Sequence, residues 1–310
     1  DDAGLAPVAK LPKLRALAVT PVVRYEKPGF GPPQWSYPFL TERADRPRIT
    51  VAGLRPFAAA QGLESLDLLD ARLVPADLAI LAGWPKLGSV ALPTPVDAEV
   101  VGHLAKCRKL SALTLGHRDI AAAELRALAG WPGLKRLTIT HATLSDDALA
   151  ALGELPAVEE LTLTDCGLTD DRLRHLRGGP KLTALVLDRN AVAGPGLVHL
   201  AGLKLTAVSL GFNDVTDATL ADLAVLTTVD TLGISYCLGV TDAGVRSGRL
   251  QGMTHLKRLN LRGLKGITDA SLDDLAKLGH LEHVTVRETK VSLDGVERLK
   301  KAMPTTTVFK

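Results

Sequence analysis

The chain has 310 residues, of which 46% are hydrophobic, 23% are charged and only 4% are aromatic. Its 37 basic and 34 acidic residues leave a net charge of +3. This balance disfavours nucleic acid as a partner, because proteins dedicated to nucleic acid carry a concentrated basic surface. No run of about 18 apolar residues occurs, so we expect neither a membrane-spanning helix nor a membrane partner.

One pattern recurs along nearly the whole chain. Each unit opens with aliphatic residues at its first, fourth and sixth positions, and all anchors of eleven such units are Leu, Val or Ile. The units begin at residues 14, 63, 87, 110, 134, 158, 182, 205, 229, 256 and 281. Apolar residues that alternate along the chain, such as Leu161 and Leu163, predict a short strand with one buried face.

The second half of each unit predicts a helix. Several units place Thr or Ser before Asp, as in Thr216-Asp217 and Thr241-Asp242. A hydroxyl or carboxylate there can accept hydrogen bonds from the free backbone N–H groups of a helix start. Apolar residues three or four positions apart then give the helix one buried stripe. Since one strand and one helix cannot bury their apolar faces alone, the units must stack.

These units resemble the leucine-rich repeat family, whose pattern is L-x-x-L-x-L-x-x-N/C-x-L. Four residues occupy its N/C position: Cys166, Asn190, Asn213 and Cys237. The spacing of mostly 24 residues and the Thr-Asp-x-x-Leu helix start resemble the bacterial, helix-containing and cysteine-containing subclass. The resemblance implies a right-handed α/β horseshoe, with parallel strands on the concave face and helices on the convex face.

Arg118, Ala142 and Thr289 depart from the Asn or Cys of that pattern. In the family this position buries a polar or thiol side chain in the turn. We therefore expect the internal hydrogen-bond ladder to be interrupted in these three units.

The domain organisation follows from the positions of the units. Residues 1–13 are interpreted as the helical half of an incomplete repeat, residues 14–305 as eleven repeats, and residues 306–310 as a closing strand. Repeat arrays need polar caps at their ends to stay soluble. We hypothesise that a missing segment, another domain or a second copy of the chain covers the N-terminal edge, which would allow self-association there.

Residues 21–47 interrupt the array with six of the 18 prolines and five of the eleven aromatic residues. The aromatic residues are Tyr25, Phe30, Trp35, Tyr37 and Phe39. Aromatic rings with stiff proline spacing suit a binding insertion, because they offer a large contact area at low entropic cost. The alternative is that the insertion folds back and caps the N-terminal edge, and the two roles are compatible.

Position eight of six consecutive units carries polar and aromatic residues. They are His117, His141, Asp165, Arg189, Phe212 and Tyr236. Since neighbouring strands lie about 4.8 Å apart, these side chains should form one row facing the concave side. We interpret the row as a recognition stripe. The alternative is a metal or hydrolytic site, in which His117, His141 and Asp165 bind a metal or Asp165 orients His141 as a general base.

A second cluster lies in the last two units. It contains Arg258, Asn260, Arg262, His283, Arg287 and Glu288. Three arginines suit a carboxylate-rich or phosphorylated patch on a partner, because the guanidinium fork matches those oxygen atoms. The alternative is an ordinary solvated end of the array.

The sequence predicts a non-enzymatic scaffold that binds a protein partner through the concave face and the 21–47 insertion. It contains no phosphate-binding loop, dinucleotide fingerprint or nucleophile elbow, and we expect no cofactor and no resident metal. Three widely spaced cysteines without a CxxC pair favour a cytoplasmic protein. A sensor or structural fragment of a larger multidomain chain is a further alternative.

Overall fold

The computed structural model describes residues 2–5, 7–11, 13–18, 49–69, 71–93, 95–116 and 118–310. The insertion at 21–47, with its five aromatic residues, lies outside the described residues, and so does His117. The chain divides into two compact units, residues 1–115 and residues 116–310, and each is described by itself.

The first unit begins with a helical segment. Its strands are β1 (Ala16–Ala18), β2 (Ser65–Asp67), β3 (Ser89–Leu92) and β4 (Ala112–Gly116, whose last residue opens the second unit). They pair in parallel and in chain order. The α-helices are α1 (Asp2–Leu5), α2 (Val51–Leu54) and α3 (Ala98–Ala105), and the 3-10 helices are Val8–Lys10, Arg55–Ala59 and Pro75–Gly83.

The second unit continues the same alternation. Its strands are β5 (Arg136–Thr140), β6 (Glu160–Thr164), β7 (Ala184–Val186), β8 (Ala207–Ser209), β9 (Thr231–Gly233), β10 (Arg258–Asn260), β11 (His283–Thr285) and β12 (Thr307–Phe309). The α-helices are α4 (Ala122–Leu128), α5 (Asp146–Gly153), α6 (Asp242–Arg246), α7 (Leu272–Ala276) and α8 (Leu293–Ala302). The 3-10 helices are Asp170–Leu176, Pro195–Leu200, Leu220–Val225, Arg249–Gly252 and Asp269–Ser271.

The core consists of the predicted aliphatic anchors. Leu161 pairs in register with Leu185, and Val208 with Leu232, so equivalent anchors of neighbouring units stack on one another. Leu163 is 0% exposed, whereas the residues that alternate with the anchors are partly exposed. A parallel α/β repeat architecture is therefore confirmed.

Many of the segments after the strands are 3-10 helices, although the sequence predicted helices without distinguishing their type. Leu220 and Leu223 are fully buried within one of them, at Leu220–Val225. A 3-10 helix has three residues per turn, so a leucine at every third position faces the core continuously. The apolar spacing thus fits either helix type.

The expected polar ladder is present at the predicted Asn and Cys positions. Asn190 accepts hydrogen bonds from the backbone N–H groups of Cys166 and Leu168, at 3.0 Å each, and donates to the carbonyl oxygen of Leu163 at 2.8 Å. Thr289 instead bonds within its own turn, to the carbonyl oxygen of Val286 at 2.7 Å. The ladder is interrupted there, as the sequence predicted.

A second ladder, which we call the carboxylate ladder, joins the helix starts. The hydroxyl of Thr241 accepts from the N–H of Ala243 in its own helix, and Thr241 donates its backbone N–H and its hydroxyl to Asp217 of the preceding repeat, at 2.7 and 2.6 Å. The same paired bonds join three other pairs of repeats: Asp2 to Thr50, Asp242 to Thr268 and Asp269 to Ser292. The hydroxyl therefore caps its own helix, while the carboxylate serves the next repeat.

Close packing accompanies this ladder. A Cβ atom on Gly244 would lie 2.2 Å from a carboxylate oxygen of Asp217, so only glycine admits the carboxylate at that place. The hydrogen bonds from Ser292 hold the pKa of Asp269 below its usual range. The Thr-Asp pairs of the sequence are thus links between repeats as well as helix caps.

Candidate functional site

Seven residues of the second unit adopt the left-handed backbone conformation at the same place in consecutive repeats. We call them the left-handed row: His141, Asp165, Arg189, Phe212, Tyr236, Gly263 and Glu288, with φ angles of 49°, 56°, 59°, 57°, 57°, 76° and 57°. The first five belong to the predicted position-eight row, and the last two continue it through the next repeats. The row is therefore longer than the sequence interpretation proposed.

The row lies in the turns beyond the carboxyl ends of the strands. His141 directly follows β5, and Asp165 directly follows β6. Each of the first six residues donates its backbone N–H to the next repeat, where the acceptor is the carbonyl oxygen of the residue just before the row residue. Examples are Phe212 to Ser235 at 2.8 Å and Gly263 to Arg287 at 2.9 Å. Hydrogen bonding across the repeats thus continues past the strands and fixes the turns.

A left-handed conformation is unfavourable for side chains other than glycine. It costs an L-residue about 1–2 kcal/mol, and Arg, Phe, Tyr and Glu lack the local hydrogen bonds that make it tolerable for Asn and Asp. Conformations of this kind cluster at binding and catalytic sites. This strain makes the row the strongest candidate site within the described residues.

The N-terminal part of the row contains a hydrogen-bonded pair of side chains. Nδ1 of His141 lies 2.7 Å from Oδ2 of Asp165. The sequence placed these two side chains together, and the structure brings them into direct contact. His117, the third residue of the alternative metal or hydrolytic site, lies outside the described part of the chain.

The central part of the row is a stack. The guanidinium carbon of Arg189 lies 4.2 Å from the centre of the Phe212 ring, and the rings of Phe212 and Tyr236 stack at 4.4 Å with planes 11° apart. The far side of the Tyr236 ring lies against Gly263, where a Cβ atom would be 2.3 Å from the ring. The two rings are therefore enclosed, and Phe212 is still 41% exposed through its edge.

The C-terminal part of the row is a polar cluster around Glu288. Its carboxylate accepts a hydrogen bond from the Tyr236 hydroxyl at 2.5 Å and one from Nε of Arg262 at 3.1 Å. The hydrogen bonds from Tyr236 and then from Arg262 hold the pKa of Glu288 below its usual range. Burial and the neighbouring Glu288 raise the pKa of Tyr236.

We expect the Tyr236→Phe variant to raise the pKa of Glu288 toward its usual range. The variant keeps the stacked ring and removes only the hydroxyl donor, which is the largest cause of the lowered pKa. In the wild type, a lowered pKa means that this cluster contributes to stability above the ordinary pKa of Glu, and that its contribution is lost as the pH falls through the lowered value. A pH titration of the side-chain carboxyl resonances by NMR measures both proteins. An unchanged pKa in the variant would contradict the assignment.

The second predicted cluster is divided in the structure. Arg262 belongs to the polar cluster of the row, and Arg258 lies 3.9 Å from the carboxylate of Glu282. Arg287 is exposed, and His283 stacks on Phe309 with ring centres 6.2 Å apart. Two of the three arginines thus have carboxylates of the same chain beside them, so the cluster is less basic than the sequence indicated.

Beside the row, strands β7–β9 present small side chains on the face opposite the buried anchors. They are Ala184, Val186, Ala207, Ser209 and Gly233. Asp188, which precedes Arg189, accepts hydrogen bonds from the Ser209 hydroxyl at 2.6 Å and from the Gly211 N–H at 2.8 Å. Burial raises the pKa of Asp188 against the effect of these bonds. Because these side chains are small, another molecule can approach the backbone of this strand face closely.

An internalin and TLR13 are among the solved structures that are similar to this chain. An internalin from Listeria monocytogenes matches with a TM-score of 0.50 and 16% identity, over 83% of this chain and 69% of the internalin. TLR13, solved as a TLR13–ssRNA13 complex, matches with a TM-score of 0.51 and 17% identity, over 80% of this chain and 35% of TLR13. Both are leucine-rich repeat proteins. The chain has the leucine-rich repeat fold.

The leucine-rich repeat fold is as far as these similarities extend. No protein-family profile matches the chain, and no curated protein is similar to it. The bacterial, cysteine-containing subclass stays a prediction. No helix of the described leucine-rich repeats is long and apolar enough to cross a membrane.

Other candidate chemistry in the leucine-rich repeats is weak. No group of three or more His, Cys, Asp or Glu side chains is placed to hold a metal ion among the described residues. Burial raises the pKa of Cys166 to about 12 and that of Cys237 to about 11, so both thiols stay protonated and unreactive at neutral pH. Among the described leucine-rich repeats, the left-handed row is therefore the strongest candidate site.

Sequence reasoning missed two features of the site. It assigned Arg262 and Glu288 to a separate cluster, although Arg262 contacts Tyr236 from the next repeat and Glu288 contacts it from the repeat after that. It also ended the row at Tyr236, although Gly263 and Glu288 occupy position eight of the next two leucine-rich repeats. The glycine at an equivalent position was the available signal, because glycine favours the left-handed conformation.

Proposed function

We propose that this chain is a non-enzymatic protein-interaction module that binds a protein partner through the left-handed row and the strand face beside it. The 21–47 insertion is the second proposed contact. Its composition supports a binding role, because it combines six prolines with five aromatic residues: Tyr25, Phe30, Trp35, Tyr37 and Phe39.

The observation that carries this proposal is the strain of the row. Six of its seven residues are not glycine, although glycine would relieve the backbone strain at every one of them. The retained side chains are aromatic or charged, and Phe212 keeps 41% of its surface exposed. A surface that keeps such side chains against a backbone cost is best explained by contact with another molecule.

Charge and residue type support a protein as the partner. Exposed aromatic residues and arginine are enriched where protein interfaces bind most strongly, and Phe212 and Arg189 provide both. We also propose a cytoplasmic location, because Cys107, Cys166 and Cys237 are free and buried.

Affinity capture from a native lysate tests the proposal, with bound proteins identified by mass spectrometry. We expect a protein that the wild type retains and the Phe212→Ser variant loses. Val198→Ser is the matched control, because Val198 is 58% exposed and lies in the 3-10 helix Pro195–Leu200, away from the row. A third variant, in which a short turn replaces residues 21–47, tests the insertion separately.

Titration with the purified partner then completes the test. The proposal predicts weaker binding by Phe212→Ser and unchanged binding by Val198→Ser, with a cooperative thermal unfolding transition in both variants as a check on folding. Capture of no protein by the wild type, or equal retention by every variant, would refute it.

A further inference from the structure

Arg189 is presented in an unusual way. Its backbone is left-handed, its side chain is exposed, and its guanidinium carbon lies over the Phe212 ring, 4.2 Å from the ring centre. Within the described part of the chain, the guanidinium makes no hydrogen bond and no ion pair. Its five N–H donors are therefore held in place by stacking and are available to another molecule.

Two other arginines near the row, Arg262 and Arg172, differ in this respect. Arg262 donates to Glu288, and Arg172 donates to Asp146 at 3.0 Å. Their donors are engaged within the chain, so a partner would have to displace a carboxylate to reach them. Arg189 needs no such exchange, and its stacked side chain loses little entropy when it binds.

The surroundings of Arg189 define what fits beside it. The exposed edge of Phe212 offers apolar contact on one side of the guanidinium, and the small residues of β7–β9 let a main chain approach closely. A planar carboxylate can accept two parallel hydrogen bonds from the guanidinium fork. An apolar residue next to that carboxylate would lie against Phe212.

We propose that Arg189 binds the carboxylate of a single Asp or Glu side chain in a segment of a protein partner, with a neighbouring apolar residue of that segment on Phe212. This inference rests on the proposed function, because it specifies the chemistry of the partner for the same surface. It replaces the cluster of Arg258, Arg262 and Arg287 as the principal anion-binding element.

A single carboxylate fits this place better than a nucleic acid does. The Tyr236 ring is covered by Phe212 on one face and by Gly263 on the other. The Phe212 ring is covered by Tyr236 on one face and by Arg189 on the other. Neither Phe212 nor Tyr236 therefore leaves a ring face on which a base could stack. Asp165, Asp188 and Glu288 in and beside the row would also repel a run of phosphates.

The test begins with a phage-displayed library of random peptides selected on the intact wild-type protein. The selected peptides are synthesised with a fluorescent label, and anisotropy titrations measure their Kd for the wild type and three variants. The variants are Arg189→Gln, Arg189→Lys and the matched control Arg126→Gln, which removes the same charge from an exposed arginine of α4. Poly(U) RNA is titrated as a second probe.

We expect the selected peptides to share an Asp or Glu next to an apolar residue. Arg189→Gln should raise their Kd about tenfold or more, because a charge-assisted pair is lost. Arg189→Lys should also weaken binding, since lysine keeps the charge but loses the fork and the stacking. Arg126→Gln should leave the Kd within about twofold. Changing the peptide's acidic residue to its amide should weaken binding to the wild type by the same factor. The same change should leave the Kd for Arg189→Gln unchanged, because the partner of the carboxylate is already gone.

Other results would overturn the inference. Peptides without an acidic residue, or equal weakening by Arg189→Gln and Arg126→Gln, would remove the specific role of Arg189. Binding of poly(U) that depends on Arg189 would replace the acidic partner by nucleic acid. Peptides whose binding needs Phe212 but not Arg189 would refute this inference and leave the proposed function standing. Selection of no peptide would refute it as well, and the proposed function also fails if no protein is captured from the lysate.

Discussion

Replacing Gly263 by alanine should destabilise the protein by about 2 kcal/mol and displace the ring of Tyr236. Gly263 has a φ of +76°, and a Cβ atom there would lie 2.3 Å from Cδ1 and 2.8 Å from Cγ of Tyr236. About half of the loss is expected from backbone strain and about half from the stacked ring, which has to leave its place. Chemical denaturation measures the first quantity, and the near-ultraviolet circular dichroism of the tyrosine reports the second.

Gly167→Ala is the control for this prediction. Gly167 has a φ of +62°, and nothing lies within 4 Å of the Cβ atom that alanine would add. This variant should therefore lose only about 1 kcal/mol and keep the near-ultraviolet signal of the wild type. Equal losses in the two variants would show that the Tyr236 ring does not depend on Gly263.

Leu163→Ala should destabilise the protein by about 2–5 kcal/mol. Leu163 is 0% exposed in β6, and truncating its side chain removes buried apolar area and leaves a cavity between stacked repeats. Because each repeat contacts its neighbours, the loss should also reduce the cooperativity of unfolding. Denaturation curves followed by far-ultraviolet circular dichroism measure both effects.

The same truncation at an exposed leucine isolates the effect of burial. Leu293 begins α8 and is 73% exposed, so Leu293→Ala should change stability by less than about 0.5 kcal/mol. A loss at Leu163 no larger than the loss at Leu293 would contradict its place in the core.

The parallel repeat architecture could be predicted because burial leaves a direct trace in the sequence. Alternating anchors such as Leu161 and Leu163 specify a strand with one buried face, and their fixed spacing specifies stacking. The turn positions of Asn190 and Asn213 followed from the resemblance to the leucine-rich repeat pattern, and their hydrogen bonds in the turns agree with it. The type of helix was not predictable, because leucines three residues apart suit both helix types.

The candidate site was predicted only in part, for a physical reason. The sequence placed Phe212 and Tyr236 in neighbouring positions, and the structure stacks them. It did not indicate the left-handed backbone, because arginine, phenylalanine and tyrosine avoid that conformation and only the surrounding hydrogen bonds impose it. It also did not indicate the contact of Tyr236 with Glu288, which lies 52 residues further along the chain.

The carboxylate ladder has a consequence for the order in which the repeats fold during synthesis. In each link the carboxylate belongs to the earlier repeat and the donors belong to the later one, as with Asp217 and Thr241 or Asp269 and Ser292. A repeat that leaves the ribosome thus finds the acceptor for its helix start already in place on the repeat before it. Folding can therefore advance from the N-terminal side during synthesis, one repeat at a time.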